Sequence, residues 1–380
     1  MAETRSIFQE VQGAKRPAAT PGGVSRDTGR ARALVRAWLI TLFALVVLMV
    51  AVGGLTRLTD SGLSITEWAP LSGAVPPLNA QDWQAEFDAY RQIPQYQLMN
   101  RGMSLEEFKV IYWWEWGHRQ LGRVIGLVWA LGFFGLLLSR NIPTGWTGRL
   151  LVLGGLGGLQ GAIGWWMVHS GLQEGMISVA SYRLATHLGL AFLILGLIAW
   201  FVMKLSREEA QLMVARRDAD ARLKGMSTGL LHLSFVQILI GALVAGIDAG
   251  RNYTDWPLMA GGLTPPGMWA LEPVWRNLFE NDGTVQFIHR LVGYVILGLA
   301  IGVWFAARRT ARVATRRAFD WVLVAIFAQM VLGIVTVMHS SPWYIAIWHQ
   351  LGAVAVLTLV LRARFLSMYP LAQSVKGARA

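Results

Sequence analysis

The sequence predicts an all-α integral membrane protein whose eight transmembrane helices form two four-helix bundles related by a parallel repeat. Three observations carry this expectation. Apolar stretches of about 20 residues, long enough to cross a hydrocarbon core, recur along a chain of 380 residues that is 54% hydrophobic and 15% charged. Basic residues gather in alternate connections between those stretches. Histidine motifs of the first half return, in order, in the second.

The low charge and a mean hydropathy of +0.44 argue against a soluble domain, in which about a quarter of residues carry charge. Candidate spans cover about 34–56, 117–139, 149–170, 183–204, 228–248, 286–306, 319–338 and 344–361, with boundaries good to a few residues. Residues 1–33, polar and rich in Gly, Pro and Arg, read as a disordered cytoplasmic tail. The first helical half covers 34–204, a cytoplasmic linker 205–227, the second half 228–361, and a cytoplasmic tail 362–380. Ala37–Ala51 resembles a signal-peptide core, but the tail before it is long and no convincing cleavage pattern follows. It reads as a retained first helix.

The formal charge of +12 is explained by orientation rather than by nucleic acid, which is not expected as a partner. Arg140 and Arg149, the Arg207–Lys224 group, the Arg308–Arg317 group and the C-terminal Arg362, Arg364, Lys376 and Arg379 share the side of the basic N-terminal tail. Positive charge marks that side as cytoplasmic. The loop 57–111 holds four Lys/Arg against seven acids, and the loop 249–285 two against four, so both face outward. In the first of these, Asp82–Tyr90 and Ser104–Tyr112 are expected as short helices, with Ser104 and Glu107 in reciprocal capping positions. Loops of this length usually serve a function or cover one. The chain has no cysteine, which excludes disulfides, thiolate metal ligands and a cysteine nucleophile.

The repeat is read from motifs. His118–Arg119 with Gly122 matches His289–Arg290 with Gly293; "VHSG" at Val168–Gly171 matches "MHSS" at Met338–Ser341; "THLG" at Thr186–Gly189 matches "WHQLG" at Trp348–Gly352. An even number of spans per half makes the repeat parallel, about an axis along the membrane normal.

Spans 2, 4, 6 and 8 run inward from the outer surface, and His118, His187, His289 and His349 fall in or near their first turns. Neutral imidazole is a good iron ligand, and two imidazoles on facing helices can hold a haem. The expectation is two sites, His118 with His187 and His289 with His349. The alternative is that each histidine bridges helices or satisfies a backbone group. Gly122, Gly126, Gly189, Gly293 and Gly352 would admit a flat macrocycle, or serve ordinary helix packing. His169 and His339 are second candidates at the same outer level, and His232, on the cytoplasmic side, is expected to be structural.

The string "WWEWGHRQLGR" (Trp113–Arg123) puts Glu115 three residues before His118, on a shared helical face. A carboxylate at membrane depth is costly unless used or paired. It would orient His118, take protons or stabilise developing positive charge; or it would simply pair with Arg119 or Arg123. Its counterpart is Gln286, three before His289. The acid-to-amide change suggests that the first half reacts and the second transfers electrons or is structural. Arg57, Arg119, Arg123 and Arg290 lie near the same boundary; Arg119 and Arg290 are favoured to meet haem propionates, with lipid headgroups or loop acids as alternatives. Trp113, Trp114 and Trp116 suit an interfacial belt or a pocket wall.

"GGLTRLTDSGLSITEWAPLSGAVPPL" (Gly53–Leu78), "YRQIPQY" (Tyr90–Tyr96), "MSLEEFKVIYWWEWGHRQLGR" (Met103–Arg123) and "QFIHRLVGY" (Gln286–Tyr294) resemble the haem A synthases, in their proteobacterial and mitochondrial branch. The likeness extends over roughly 35–365. It implies oxidation of the C8 methyl of haem O to a formyl group, by successive hydroxylations through an alcohol and a hydrate that loses water. It also implies haem B as resident cofactor on His289 and His349, with substrate haem O held or flanked by His118 and His187. Glu115 matches the family's essential acid. The cysteine pair of the Bacillus-like branch is absent, so no thiol role carries over. Implied partners are the lipid bilayer, haem O synthase and cytochrome oxidase assembly factors; the sequence names no external electron acceptor. The small-residue run Gly154–Gly164 would pack within the chain or against a second copy. Competing readings are a diheme b-type electron-transfer protein, such as a quinol oxidoreductase subunit, and a repeat-built transporter. Glu115 set against Gln286, and the long first loop, weigh against the former; a haem spectrum would dispose of the latter.

Overall fold

A computed structural model describes residues 26–372. Twelve α-helices are found among them: α1 (Arg26–Leu58), α2 (Ala80–Tyr90), α3 (Pro94–Leu98), α4 (Leu105–Leu138), α5 (Thr147–Gly171), α6 (Ser181–Leu205), α7 (Glu209–Arg217), α8 (Ala221–Gly246), α9 (Asn277–Glu280), α10 (Asp282–Ala307), α11 (Val313–Met338) and α12 (Trp343–Met368). Eight of them, α1, α4, α5, α6, α8, α10, α11 and α12, are long and apolar enough to cross a membrane. The all-α, eight-span reading therefore stands. The first 25 residues and 373–380, parts of the two expected tails, lie outside the described residues.

Several boundaries move outward from those read in the sequence. Helix α1 is already formed at Arg26, α12 runs on to Met368, and the segment read as a linker contains α7 and the first turns of α8. The largest change is at α4. The expected short helix from Ser104 and the expected span from 117 are one 34-residue helix. Its start is where the sequence puts it: the Ser104 side chain accepts from the Glu107 N–H, and Glu107 accepts from the Ser104 N–H at 2.8 Å. Nothing between Leu105 and Gly117 breaks a helix, so the polar turns simply continue into the apolar ones. His118 is consequently deep within its helix, whereas His187, His289 and His349 sit near the second turn of theirs.

Helix α1 packs on α4 and α6, and α5 on α4 and α6; α8 packs on α10 and α12, and α11 on α10 and α12. Between these groups α1 meets α12, and α6 meets α8 and α12. The core is continuous across that seam: Val354, Leu357 and Leu361 of α12 share a cluster with Leu39, Val46 and Val50 of α1 and Leu195 and Ile198 of α6. Lipid is as apolar as leucine, so helices in a membrane associate through close packing and interhelical hydrogen bonds. Both devices are present. The Trp38 indole lies against Gly132 and donates to Val128 O at 3.0 Å; the Trp129 indole lies against Gly154 and donates to Leu150 O at 3.2 Å. Gln350 of α12 donates to Val50 O of α1 at 2.8 Å, tying the two groups together.

The first long loop folds over one end of the bundle. Asn79 caps α2, which spans almost the range read from sequence. Phe87, Tyr90, Phe108 and Tyr112 are buried against Leu63, Ile65 and Val179, with aromatic centroids 5.0–5.8 Å apart along Phe87, Phe108 and Tyr112.

Candidate functional site

Each of the four singled-out histidines lies with its ring edge against a glycine of a neighbouring helix. A Cβ placed on Gly53 of α1 would come within 2.7 Å of His118 Cε1; on Gly164 of α5, 2.9 Å from His187 Cε1; on Gly241 of α8, 3.1 Å from His289 Cε1; and on Gly333 of α11, 2.8 Å from His349 Cε1. Every one of these glycines lies in the last two turns of its helix. The four imidazoles are therefore gathered at one end of the bundle, the end the first long loop covers. The glycines the sequence suggested beside the histidines have other neighbours: Gly122 faces Met49, Gly293 faces Gln237, Gly352 faces Gln329 and Gly189 faces Leu239, while Gly126 faces open space.

His289 and His349 face one another with ring centroids 6.3 Å apart and ring planes at 78°. Two metal–imidazole bonds of about 2 Å each, added to the two ring half-widths, span about that distance. The Nδ1 atoms of His118, His289 and His349 are buried with no partner among the described residues. Buried polar atoms without partners are rare and call for a reason. Binding an iron through the other ring nitrogen would supply one, so His289 and His349 fit as residues that would hold a haem.

Glu115 is 2% exposed. Its Oε2 accepts from Ser64 Oγ and from the Ile65 N–H, both at 2.8 Å; its Oε1 accepts from Arg119 Nη2 at 2.6 Å and Nε at 3.1 Å. The pairing with Arg119 weighed in the sequence is present, and a buried carboxylate needs such pairing to exist in its charged form. Gln286, 3% exposed, is the neutral counterpart: it donates to Ala249 O at 2.7 Å and accepts from Arg290 at 2.8 Å. Ser64 and Ile65 were invisible from spacing, because some 50 residues of loop separate them from Glu115.

The arginines anchor the loops. Arg119 donates to Ile65 O at 2.7 Å and Glu67 O at 2.8 Å; Arg123 donates to Ala69 O and Pro70 O, both at 2.9 Å. Arg290 donates to Tyr253 O at 2.8 Å, Asp255 O at 3.0 Å and Leu258 O at 3.1 Å. Arg57 pairs with Asp60 at 3.0 Å and with Asp248 at 2.7 Å, joining the end of α1 to the end of α8. Each guanidinium is held by backbone or carboxylate, and among the described residues Nε of Arg57 and of Arg290 has no partner. The Arg119 guanidinium also lies 5.8 Å from the Trp165 ring, which stacks on Trp68 at 5.9 Å.

His169 is exposed, its ring 6.3 Å from Trp165; His339 is exposed, its Nδ1 2.8 Å from Val335 O; His232 is exposed in the first half of α8. The small-residue run divides: Gly154 and Gly164 face Trp129 and His187, whereas Gly155, Gly157, Gly158 and Gly161 meet open space.

Comparison with known proteins decides the family. The family model for COX15-CtaA, described as a cytochrome oxidase assembly protein, matches residues 36–361. The chain belongs to this family. Proteins named heme A synthase are similar to it over nearly their whole length. One from Jannaschia sp. (strain CCS1) is 68% identical across 100% of both chains. Others from Paracoccus denitrificans and Cereibacter sphaeroides (strain ATCC 17023) are 59% and 56% identical, each over 98% of both chains. Membership covers both groups of spans and the loop between α1 and α4, so the site geometry falls wholly within the matched region.

Proposed function

We propose that this chain is a haem A synthase of the bacterial inner membrane: it oxidises the C8 methyl of haem O to a formyl group, by successive hydroxylations, giving haem A for terminal oxidases. The observation that carries this reading is the buried, fully hydrogen-bonded Glu115 three residues before His118, set against the neutral Gln286 before His289. A symmetric electron-transfer protein has no use for that difference. An enzyme with one reacting haem and one resident haem does.

In this reading the spans form two four-helix bundles related by a parallel repeat, 34–204 and 228–361, with both termini cytoplasmic and the haem sites near the periplasmic side. The matched neighbours of α1, α4, α5 and α6 with α8, α10, α11 and α12 support it. His289 and His349 hold haem B, and their facing rings support that assignment. His118 and His187 hold substrate haem O. The haem iron supplies the redox chemistry when bound, and the protein supplies position and electrostatics. Glu115, fixed by Ser64, Ile65 and Arg119, would stabilise positive charge developing at the methyl carbon or assist removal of its proton. Arg119 and Arg290, at the same end of the bundle as the histidines, would be the residues to meet the haem propionates. Haem O synthase and cytochrome oxidase assembly factors are the partners this activity calls for, and the farnesyl tail of haem O enters laterally from lipid.

The test is to incubate purified protein with haem O and analyse the extracted haems. Wild-type protein should yield haem A or its alcohol precursor. Glu115→Ala should retain haem B and yield neither. Full conversion by Glu115→Ala removes the assignment of this carboxylate.

A further inference from the structure

The glycine behind each histidine is one half of a larger seat. Four residues before Gly164, Gly241 and Gly333, one helical turn away on the same face, stand Gln160, Gln237 and Gln329. Each donates its amide N–H to the backbone carbonyl of the histidine its glycine faces: Gln160 to His187 O at 2.9 Å, Gln237 to His289 O at 2.8 Å, Gln329 to His349 O at 2.7 Å. The amides also touch the rings, Gln160 Nε2 lying 3.2 Å from His187 Nδ1 and Gln237 Nε2 3.5 Å from His289 Nε2. Four residues before Gly53 stands Met49 instead. Met49 occupies the matched place: its methyl faces Gly122 as the Gln237 amide faces Gly293, each 3.5 Å from a Cβ there. Among the described residues no side chain donates to the His118 carbonyl.

Among the described residues, Oε1 of Gln160, Gln237 and Gln329 is buried without a partner, as is Nδ1 of His118, His289 and His349. An imidazole that binds iron through Nε2 carries its proton on Nδ1, and such ligands almost always donate that proton to a fixed acceptor, which sets ring orientation and strengthens the bond to the metal. The glutamine amides hold His187, His289 and His349 through the backbone carbonyl, at 2.7–2.9 Å. Met49 offers His118 no such amide.

We infer that Gln160, Gln237 and Gln329 are positioning residues for the haem-facing histidines, and that Met49 in the fourth seat makes His118 the ligand that releases. The inference rests on the reading that these histidines hold the resident and substrate haems. It adds a division of labour. A resident haem needs two pinned ligands and has them. A substrate haem must be gripped and then let go, and has one pinned ligand and one free. Exchange therefore takes place on the α4 side, at the helix that also carries Glu115, so the reacting haem is released beside the acid.

Volume-conserving swaps test this, since Met and Gln are similar in size. In purified full-length protein, Gln237→Met and Gln329→Met should change the low-spin ferric haem B electron paramagnetic resonance signal, which reports axial ring orientation. Haem B retention through washing should fall by about threefold or more, roughly the worth of one interhelical hydrogen bond. Gln160→Met should leave the haem B signal intact and weaken haem O binding. Met49→Gln should do the opposite, raising the haem O and haem A that co-purify and slowing multiple turnover more than the first. His289→Ala and His349→Ala are the reference. If they keep haem B, the underlying ligand assignment is wrong. If they lose it while the glutamine variants keep wild-type signal and retention, the positioning role is wrong and the assignment survives. If Met49→Gln binds and releases haem as wild type does, His118 is not the releasing ligand.

Discussion

Glu115 shows how one side chain is made usable in an apolar surrounding. Four hydrogen bonds reach its two oxygens, from a hydroxyl, a backbone N–H and two guanidinium nitrogens. Removing one neutral donor leaves the carboxylate partly unsatisfied, so Ser64→Ala should cost about 1–3 kcal/mol of stability. Removing the counter-charge leaves a buried ion unpaired, so Arg119→Leu should cost more, about 3–5 kcal/mol. Thermal unfolding in detergent, monitored beside haem O conversion, checks both. An Arg119→Leu protein as stable as wild type would mean that the Glu115–Arg119 pair does not hold the site together. The sequence named Glu115, His118 and Arg119 because they share a local string. It did not name Ser64, Gln160, Gln237, Gln329 or Met49, whose meaning lies in what they face across a helix boundary.

Among the elements, the two long loops are held by the helices they cover, and the holding is mostly through backbone carbonyls. Arg119 and Arg123 each catch two in the first loop, and Arg290 three in the second. Carbonyl recognition asks little of loop side chains, which is why these contacts leave no trace in spacing. The second loop adds a turn closed by Asp255, which accepts from the Ala260 and Gly261 N–H groups, both at 3.0 Å. Those backbone donors, that of Gly261 foremost, hold its carboxyl below the usual carboxylate range. A depressed folded value means that the turn's stabilisation is complete above the ordinary carboxylate value, about pH 4, and fades only as pH falls through the lower value. Protease cleavage between Asp255 and Gly261 should therefore stay slow down to about pH 4 and rise below it. Asp255→Ala should be cleaved readily at neutral pH, and equal resistance in both proteins would show that the carboxylate does not hold the turn.

At the scale of the whole molecule, the core crosses between the two groups of spans. Val354, Leu357 and Leu361 of α12 pack with α1 and α6, Gln350 bonds to Val50 O, and Arg57 reaches Asp248. Gln350 has no counterpart in the first half, where Leu188 follows His187. It links the residue beside His349 to the turn of α1 that leads to Gly53, and so connects the two proposed haem sites through one side chain. Gln350→Leu should lower stability by about 0.6–1.7 kcal/mol, the measured span for interhelical bonds in membranes, with unfolding still a single transition. Two separated transitions in calorimetry would mean that the halves fold as independent units.

The sequence alone was enough for the class, the number of spans, the capped start of α4, the candidate histidines and the Glu115/Gln286 contrast. These depend on local properties: apolar length, capping chemistry, and motifs that recur within a few residues. It divided α4 into a short helix and a separate span, because polar turns outside a membrane are as helical as apolar ones within it and hydropathy registers only the latter. Of the glycines it named beside the histidines, Gly122, Gly189, Gly293 and Gly352 face side chains of neighbouring helices, the packing it offered as one alternative, while the glycines that receive the rings lie on other helices. Which glycine faces which imidazole, which donors fix Glu115, and which of four seats lacks its glutamine are set by how helices pack. Packing pairs residues that sequence distance cannot relate, and only the tertiary structure decided it.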